Sequence, residues 1–243
     1  MPKQTTAATV TATTVTTTTV TAATVTAATV TATTVTAAMV TASTTQCNII
    51  FTGQTTYSTG YGPNAVVAAD VNGDGKPDII VANSASNNVG VLLNIGNGTF
   101  AAQTTYLTGA DPYELTAADV NGDGKTDIIV ANYISNNVGV LLNIGNGTLA
   151  SQTAYSTDNG PISVVAADVN GDGKPDIIVV NYLSGNVGVL LNIGNGTFTA
   201  QTTYLTGAGP FEAATADVNG DNNPDIIVTN AGSNNVGVLL AYC

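Results

Sequence analysis

Two rhythms of apolar positions divide the chain. Between residues 5 and 45 a valine returns every fifth position, at Val10, Val15, Val20, Val25, Val30, Val35 and Val40, each followed by threonine. The residues between are almost all Thr and Ala, with no charge, glycine or proline. A five-residue step turns about 140° around a helix axis, so no apolar stripe forms on a helix. Thr and Val favour strands over helices. In an extended chain an odd period sends successive valines to opposite faces. The pattern therefore predicts an extended segment over 1–46 that builds no core of its own and pairs with something else.

From Cys47 onward the rhythm is a 49-residue repeat, marked by Asp70-Val-Asn-Gly-Asp-Gly-Lys-Pro-Asp78 and its copies beginning at Asp119, Asp168 and Asp217. After each acidic stretch comes a short apolar strand such as Asp127-Ile-Ile-Val-Ala, then a second such as Asn137-Val-Gly-Val-Leu-Leu-Asn143. Ile144-Gly-Asn-Gly-Thr148 has the Asn-Gly pair of a tight hairpin. Ala150–Tyr155 alternates as a third strand, and Ile162–Ala167 leads as a fourth into the next acidic stretch. Four strands per repeat with no helix between them predict an all-β fold, a four-bladed β-propeller over 47–243.

The seam of that ring is predicted from the ends of the repeat region. Residues 48–57 match the outer strand of a blade, and the last repeat stops at 235–243, where that strand would be due. An N-terminal strand is thus expected to close the ring by pairing with 235–241. The two cysteines, Cys47 and Cys243, sit at the same seam. They are expected to form a disulfide in an oxidising compartment; the alternative is a pair of buried thiols.

The acidic stretch changes the picture most. Of 16 acidic residues, twelve lie in its four copies, each placing three carboxylates within nine residues. Bare, they would repel. Ca²⁺ takes six to eight oxygens from a compact loop, and positions 1, 3, 5, 7 and 9 supply them. The candidate ligands are Asp70, Asn72, Asp74, the Lys76 carbonyl and Asp78, followed by Asp119, Asn121, Asp123, the Lys125 carbonyl and Asp127. The third set is Asp168, Asn170, Asp172, the Lys174 carbonyl and Asp176; the fourth is Asp217, Asn219, Asp221, Asn223 and Asp225. The lysine side chains are expected to point away. Asn222 replaces the turn glycine of the other copies, and Asn tolerates the left-handed conformation best among non-glycine residues. Val81 stands where an EF-hand has its bidentate Glu, and strands flank the loop, so this is no EF-hand. Ca²⁺ is the expected cofactor, one ion per repeat.

The run Asp-Val-Asn-Gly-Asp-Gly-Lys-Pro-Asp-Ile-Ile-Val resembles the FG-GAP or VCBS-type repeat of integrin-α-like β-propellers, over residues 47–243. The resemblance implies a Ca²⁺ loop between two strands of a blade, matching 70–78 and its copies. It also implies an extracellular or cell-surface location and an adhesive, lectin-like or structural role. Blade number departs from the family, whose propellers commonly have seven longer blades.

Charge and composition narrow the partners. The net charge is −12, with Lys3, Lys76, Lys125 and Lys174 the only cations and no His, so nothing neutralises a run of phosphates and no nucleic-acid partner is expected. No apolar stretch is long enough to span a bilayer, and no apolar signal-peptide region follows the start. Without His, and with most carboxylates in the loops, no enzyme is expected. Glu114 and Glu212 share one repeat position, expected to face each other across the ring, where they either bind a central cation or are solvated. Tyr106, Tyr155 and Tyr204 either pack between blades or form a glycan platform. Asn97, Asn146 and Asn195 head Asn-Gly-Thr sequons, open to glycosylation or explained by hairpin chemistry alone.

Extended, the 41 residues of 5–45 reach about 135 Å. The expected partner is therefore self: the segment docks on neighbouring subunits in a head-to-tail filament. The alternatives are a glycosylated stalk bearing a lectin-like head, or a small pentapeptide-type β-helix.

Overall fold

In the computed structural model the chain falls into two units, 1–52 and 53–243, and the structure describes residues 53–242. The segment 1–46, both cysteines of the predicted disulfide and residues 48–52 of the predicted closing strand lie outside the described residues.

Each repeat folds into an antiparallel sheet. The first contains β1 (Pro63–Ala69), β2 (Asp78–Asn83), β3 (Asn88–Leu92), a two-stranded arm of β4 (Asn94–Gly96) and β5 (Thr99–Phe100), and β6 (Thr104–Leu107). The second repeats it as β7 (Pro112–Ala118), β8 (Asp127–Asn132), β9 (Asn137–Leu141), β10 (Asn143–Gly145), β11 (Thr148–Leu149) and β12 (Thr153–Ser156). The third is β13 (Pro161–Ala167), β14 (Asp176–Asn181), β15 (Asn186–Leu190), β16 (Asn192–Gly194), β17 (Thr197–Phe198) and β18 (Thr202–Leu205). The last is β19 (Pro210–Ala216), β20 (Asp225–Asn230) and β21 (Asn235–Leu239). Spatial order is β1-β2-β3-β6, β7-β8-β9-β12, β13-β14-β15-β18 and β19-β20-β21. Among the described residues the one helical feature is a 3-10 turn at Ser84–Ser86, and no helix is long and apolar enough to cross a membrane.

The run Asp-Ile-Ile-Val forms the second strand of each sheet because both of its faces are apolar and need cover. Neighbouring sheets supply that cover. Ile128 and Val130 join Ile80 and Val89 of the first sheet in one cluster. Ile129 and Ala131, pointing the other way, join Ile177 and Val179 of the third. Ile178 and Val180 then meet Ile226 and Val228 of the fourth. The first strands pack in sequence, β1 on β7, β7 on β13 and β13 on β19, with no comparable packing of β19 on β1.

Ring closure is where structure and expectation part. Residues 53–57 carry no strand, and β21 has no outer partner among the described residues. Instead Tyr57 is held at the opposite end. Its hydroxyl donates to the Gly98 carbonyl (3.3 Å) and its ring meets Phe100 edge-on at 5.4 Å. Val66 on β1 is correspondingly 69% exposed, against 6% and 2% for the equivalent Leu115 and Val164.

Candidate metal centres

The acidic loops join the first and second strand of each sheet and are built around their first aspartate. Asp70 Oδ1 accepts from the amides of Asn72 (3.2 Å) and Gly73 (2.7 Å), and Oδ2 from Gly75 (2.7 Å). Gly73 and Gly75 both have φ of +78°, a left-handed conformation that glycine adopts without strain. Asn72 and Asp74 continue the pattern by accepting from the amides two residues on, at 2.9 Å each. The second and third loops repeat this around Asp119 and Asp168. In the fourth, Asn222 takes the glycine position at φ +69° and donates to Asp217 Oδ2 (2.9 Å), as the tolerance of Asn for that conformation predicts.

The ninth residue does a different job. Asp78 is fully buried; its Oδ2 accepts from the Val71 amide (3.0 Å) and its Oδ1 from the Asn94 amide (2.7 Å). Asp127, Asp176 and Asp225 do the same, tying loop, second strand and the chain beyond the third strand together. Burial, then the charges of Asp123 and Asp119, pushes the Asp127 carboxyl up; burial, then Asp172 and Asp168, does so for Asp176. Asp74, Asp123 and Asp172 move down, chiefly through their lysines. Those lysines do not point away as predicted: Lys76, Lys125 and Lys174 fold back onto the fifth-position aspartates at 2.9, 2.6 and 2.9 Å. An ammonium beside a carboxylate is the nearest counter-charge the first three loops offer, and the fourth has Asn223 in that place.

The donor set fits a hard cation, because every candidate donor is oxygen and the Oδ2 of each first aspartate, like both oxygens of each ninth-position aspartate, accepts a single amide bond and keeps a free lone pair. Among the described residues no three acidic, His or Cys side chains already converge at metal-binding separations. The loops are also clamped by the next repeat: Asn143 Nδ2 and the Gly147 amide donate to the Val71 carbonyl at 2.7 and 3.0 Å. A cleft of about 440 Å³ lies between Asp70–Gly73, Gly124–Thr126 and the arm residues Asn143, Gly145 and Asn146. An ion in one loop would therefore also bear on the joint between two sheets.

The other singled-out residues are placed as follows. Glu114 is not simply solvated: its Oε2 accepts from the Val164 amide (3.2 Å), and burial, against bonds from Ser163 and Val164, pushes its carboxyl up, with Glu212 adding repulsion. Glu212 is exposed. Tyr106 and Tyr155 donate to the Gly147 and Gly196 carbonyls of the following sheet at 3.1 and 3.2 Å, so they pack between repeats. Tyr204 is 45% exposed. Asn97, Asn146 and Asn195 sit exposed at hairpin tips with φ near +53°, and Thr99 and Thr197 donate back to the Gly96 and Gly194 carbonyls.

Sequence reasoning missed one device. Gln103, Gln152 and Gln201 lie over Gly90, Gly139 and Gly188, where any Cβ would collide with the glutamine amide. Each glutamine accepts from a buried asparagine, Asn83, Asn132 or Asn181. A glycine inside an apolar strand was the available signal, since it marks close approach.

A model of the FG-GAP-like repeat matches residues 46–81, 70–130, 119–179 and 168–228. No curated protein matches the chain. Among solved structures the chain is similar to an Agrocybe aegerita lectin described as recognising non-reducing terminal N-acetylglucosamine. Identity there is 27%, over 70% of this chain and 50% of that one, with a TM-score of 0.49. It is also similar to the V. cholerae biofilm matrix protein Bap1, at 23% identity over 72% and 26% of the two chains and a TM-score of 0.49. A functionally unknown protein from Desulfotomaculum acetoxidans gives 20% identity, 74% and 58% coverage and a TM-score of 0.50, and bears on the fold alone. This chain spans 26% to 58% of these three proteins. The arrangement is β-propeller-like, four repeats side by side with their first strands adjacent.

Proposed function

Because the chain belongs to the FG-GAP-like repeat family, we propose that it is an extracellular structural or adhesive protein without enzymatic activity, its repeats stabilised by Ca²⁺ in the acidic loops. The observation that carries this reading is the fourfold recurrence of one oxygen-donor loop, wrapped each time about its first aspartate. Asp70, Asn72, Asp74, the Lys76 carbonyl and Asp78, with their counterparts in the other loops, would hold the ion. Bound Ca²⁺ supplies charge neutralisation: four divalent ions would offset eight of the twelve net negative charges. The chain's own part is to present the oxygens, release each lysine from its aspartate and keep the ninth-position carboxylate on its two amides.

In this reading the Thr/Val/Ala segment docks on neighbouring subunits and carries assembly into a filament. Electron microscopy of the full chain beside a truncated chain starting at Cys47 tests it. Fibres from the first and single particles from the second are expected; single particles from both, with a protease-sensitive N-terminal segment, contradict it. A glycan-binding head is the alternative, but Tyr106 and Tyr155, proposed for its platform, are engaged between sheets.

A further inference from the structure

Among the described residues the fourth sheet has one strand fewer than the others, and the N-terminal side of the first sheet holds a segment of matching sequence. In the three complete sheets the outer strand follows a glutamine and pairs with the third strand in a constant register. Asn88 faces Leu107, Val89 faces Tyr106, Gly90 faces Thr105 and Val91 faces Thr104; the second and third sheets repeat it. The run Gln-Thr-Thr-Tyr that opens the outer strands at 103–106 and 201–204 occurs once more, as Gln54-Thr-Thr-Tyr57, at the N-terminal side of the first sheet. There Tyr57 bonds to Gly98 and packs on Phe100, as Tyr155 bonds to Gly196 and packs on Phe198. Residues 54–58 thus already occupy the place of an outer strand belonging to a preceding sheet, without that sheet.

The fourth sheet shows the complementary lack at each contact. Val236 and Val238 are 60% and 50% exposed, where Val187 and Val189 are 0% and 6%. A Cβ at Gly237 would meet nothing nearer than Asn230 Nδ2 at 3.2 Å, whereas Gly90, Gly139 and Gly188 are covered by their glutamines. Asn230 donates to Asn235 (2.9 Å) but to no glutamine, unlike its three counterparts. An unpaired strand edge with a fitted seat is a template for one more strand.

We infer that the occupant is a second copy of this chain: residues 54–58 of one copy complete the fourth sheet of the next. Ser58 faces Asn235, Tyr57 faces Val236, Thr56 faces Gly237 and Thr55 faces Val238, with Gln54 over Gly237 receiving the Asn230 amide. Tyr57 stays on Gly98 and Phe100 of its own chain, so the added strand brings that chain's first sheet onto the fourth sheet of its neighbour. The contact is heterologous and uses different surfaces on the two copies, so it closes a ring of copies or propagates. It goes beyond the function proposed above, because it needs neither the metal nor residues 5–45. Thr229 and Glu212 on the receiving face are polar and exposed, where the third sheet buries Val180 and Ser163. The joint is accordingly weaker than the joints inside a chain, and concentration controls it.

Amide hydrogen exchange on the full chain, read at low and high protein concentration, tests the inference. Exchange at 236–239 and at 55–58 is expected to slow together as concentration rises, by about tenfold once nine-tenths of the edges are occupied. Gly237→Val, which fills the Gln54 seat, is expected to abolish that dependence. Should this variant fail to fold, the wild-type concentration series decides alone. Protection of β21 that is independent of concentration would mean closure within one chain, and no protection at any concentration an empty edge; either overturns the inference. Slowing at 236–239 without slowing at 55–58, or slowing that survives Gly237→Val, overturns it in favour of another strand donor such as residues 5–45.

Discussion

The third and fourth sheets contain the same five residues in the same strand, Asn-Val-Gly-Val-Leu at 186–190 and at 235–239, yet they live in different surroundings. Val187 is fully buried and Val236 is 60% exposed. The difference comes from what covers the strand: β18 lies outside β15, and nothing among the described residues lies outside β21. Propensity and pattern specify that the segment is a strand. Burial, and the stability that comes with it, is conferred by the next strand.

One charge placed at both positions separates the two strands by the largest margin. Val187→Asp buries an unpaired carboxylate and is expected to cost more than about 4 kcal/mol, enough to unfold the sheet. Val236→Asp, measured in dilute protein, is expected within about 0.5 kcal/mol of wild type by denaturant titration. Equal losses would show that β21 is covered.

The acidic loops allow a second comparison, between carboxylates of one loop. Asp127→Ala leaves the Val120 and Asn143 amides without their acceptor and is expected to cost about 3 kcal/mol even with chelator present. Asp123→Ala removes an exposed side chain paired with Lys125. It should leave stability in chelator close to that of wild type, as exposed ion pairs contribute little, while losing one Ca²⁺ site of four.

The smallest effect concerns Glu114. Its folded carboxyl is raised above the ordinary 4.5, chiefly by burial. Its contribution to stability is therefore full below the unfolded value and lost as pH rises through the raised folded value. Glu114→Gln keeps an acceptor for the Val164 amide without the charge. It should melt about 2 °C above wild type near neutral pH, and the gap should close on acidification. A gap that widens on acidification would reverse the assignment.

Much of this was legible in the sequence because a repeat compares a sequence with itself. The 49-residue period, the strand after each acidic loop and the Asn-Gly hairpin at Asn97-Gly98 all follow from local chemistry. So did the left-handed Asn222, which only a glycine-like residue could replace. What stayed hidden depended on contacts between repeats. Asp78 reads as one more ligand, but its burial comes from β2 and the amides of Val71 and Asn94. Gln103 over Gly90 pairs residues from different strands, and no spacing rule announces it. Residues 48–57 match an outer strand in sequence, yet 53–57 carry no strand in the structure, and sequence cannot say which edge such a segment meets. Tyr57 on Gly98 settles its near side.

Calorimetric titration of Ca²⁺ into the chelator-treated chain shows whether the four acidic loops are metal sites that hold the repeats together. Thermal unfolding should be followed in parallel. Four bound ions are expected, three in Asp123→Ala, and a melting temperature that climbs with free Ca²⁺, each filled site adding about 4 kcal/mol at a thousandfold excess over its Kd. No binding heat, and a melting temperature indifferent to chelator, would contradict the account and leave the loops as hydrogen-bonded turns.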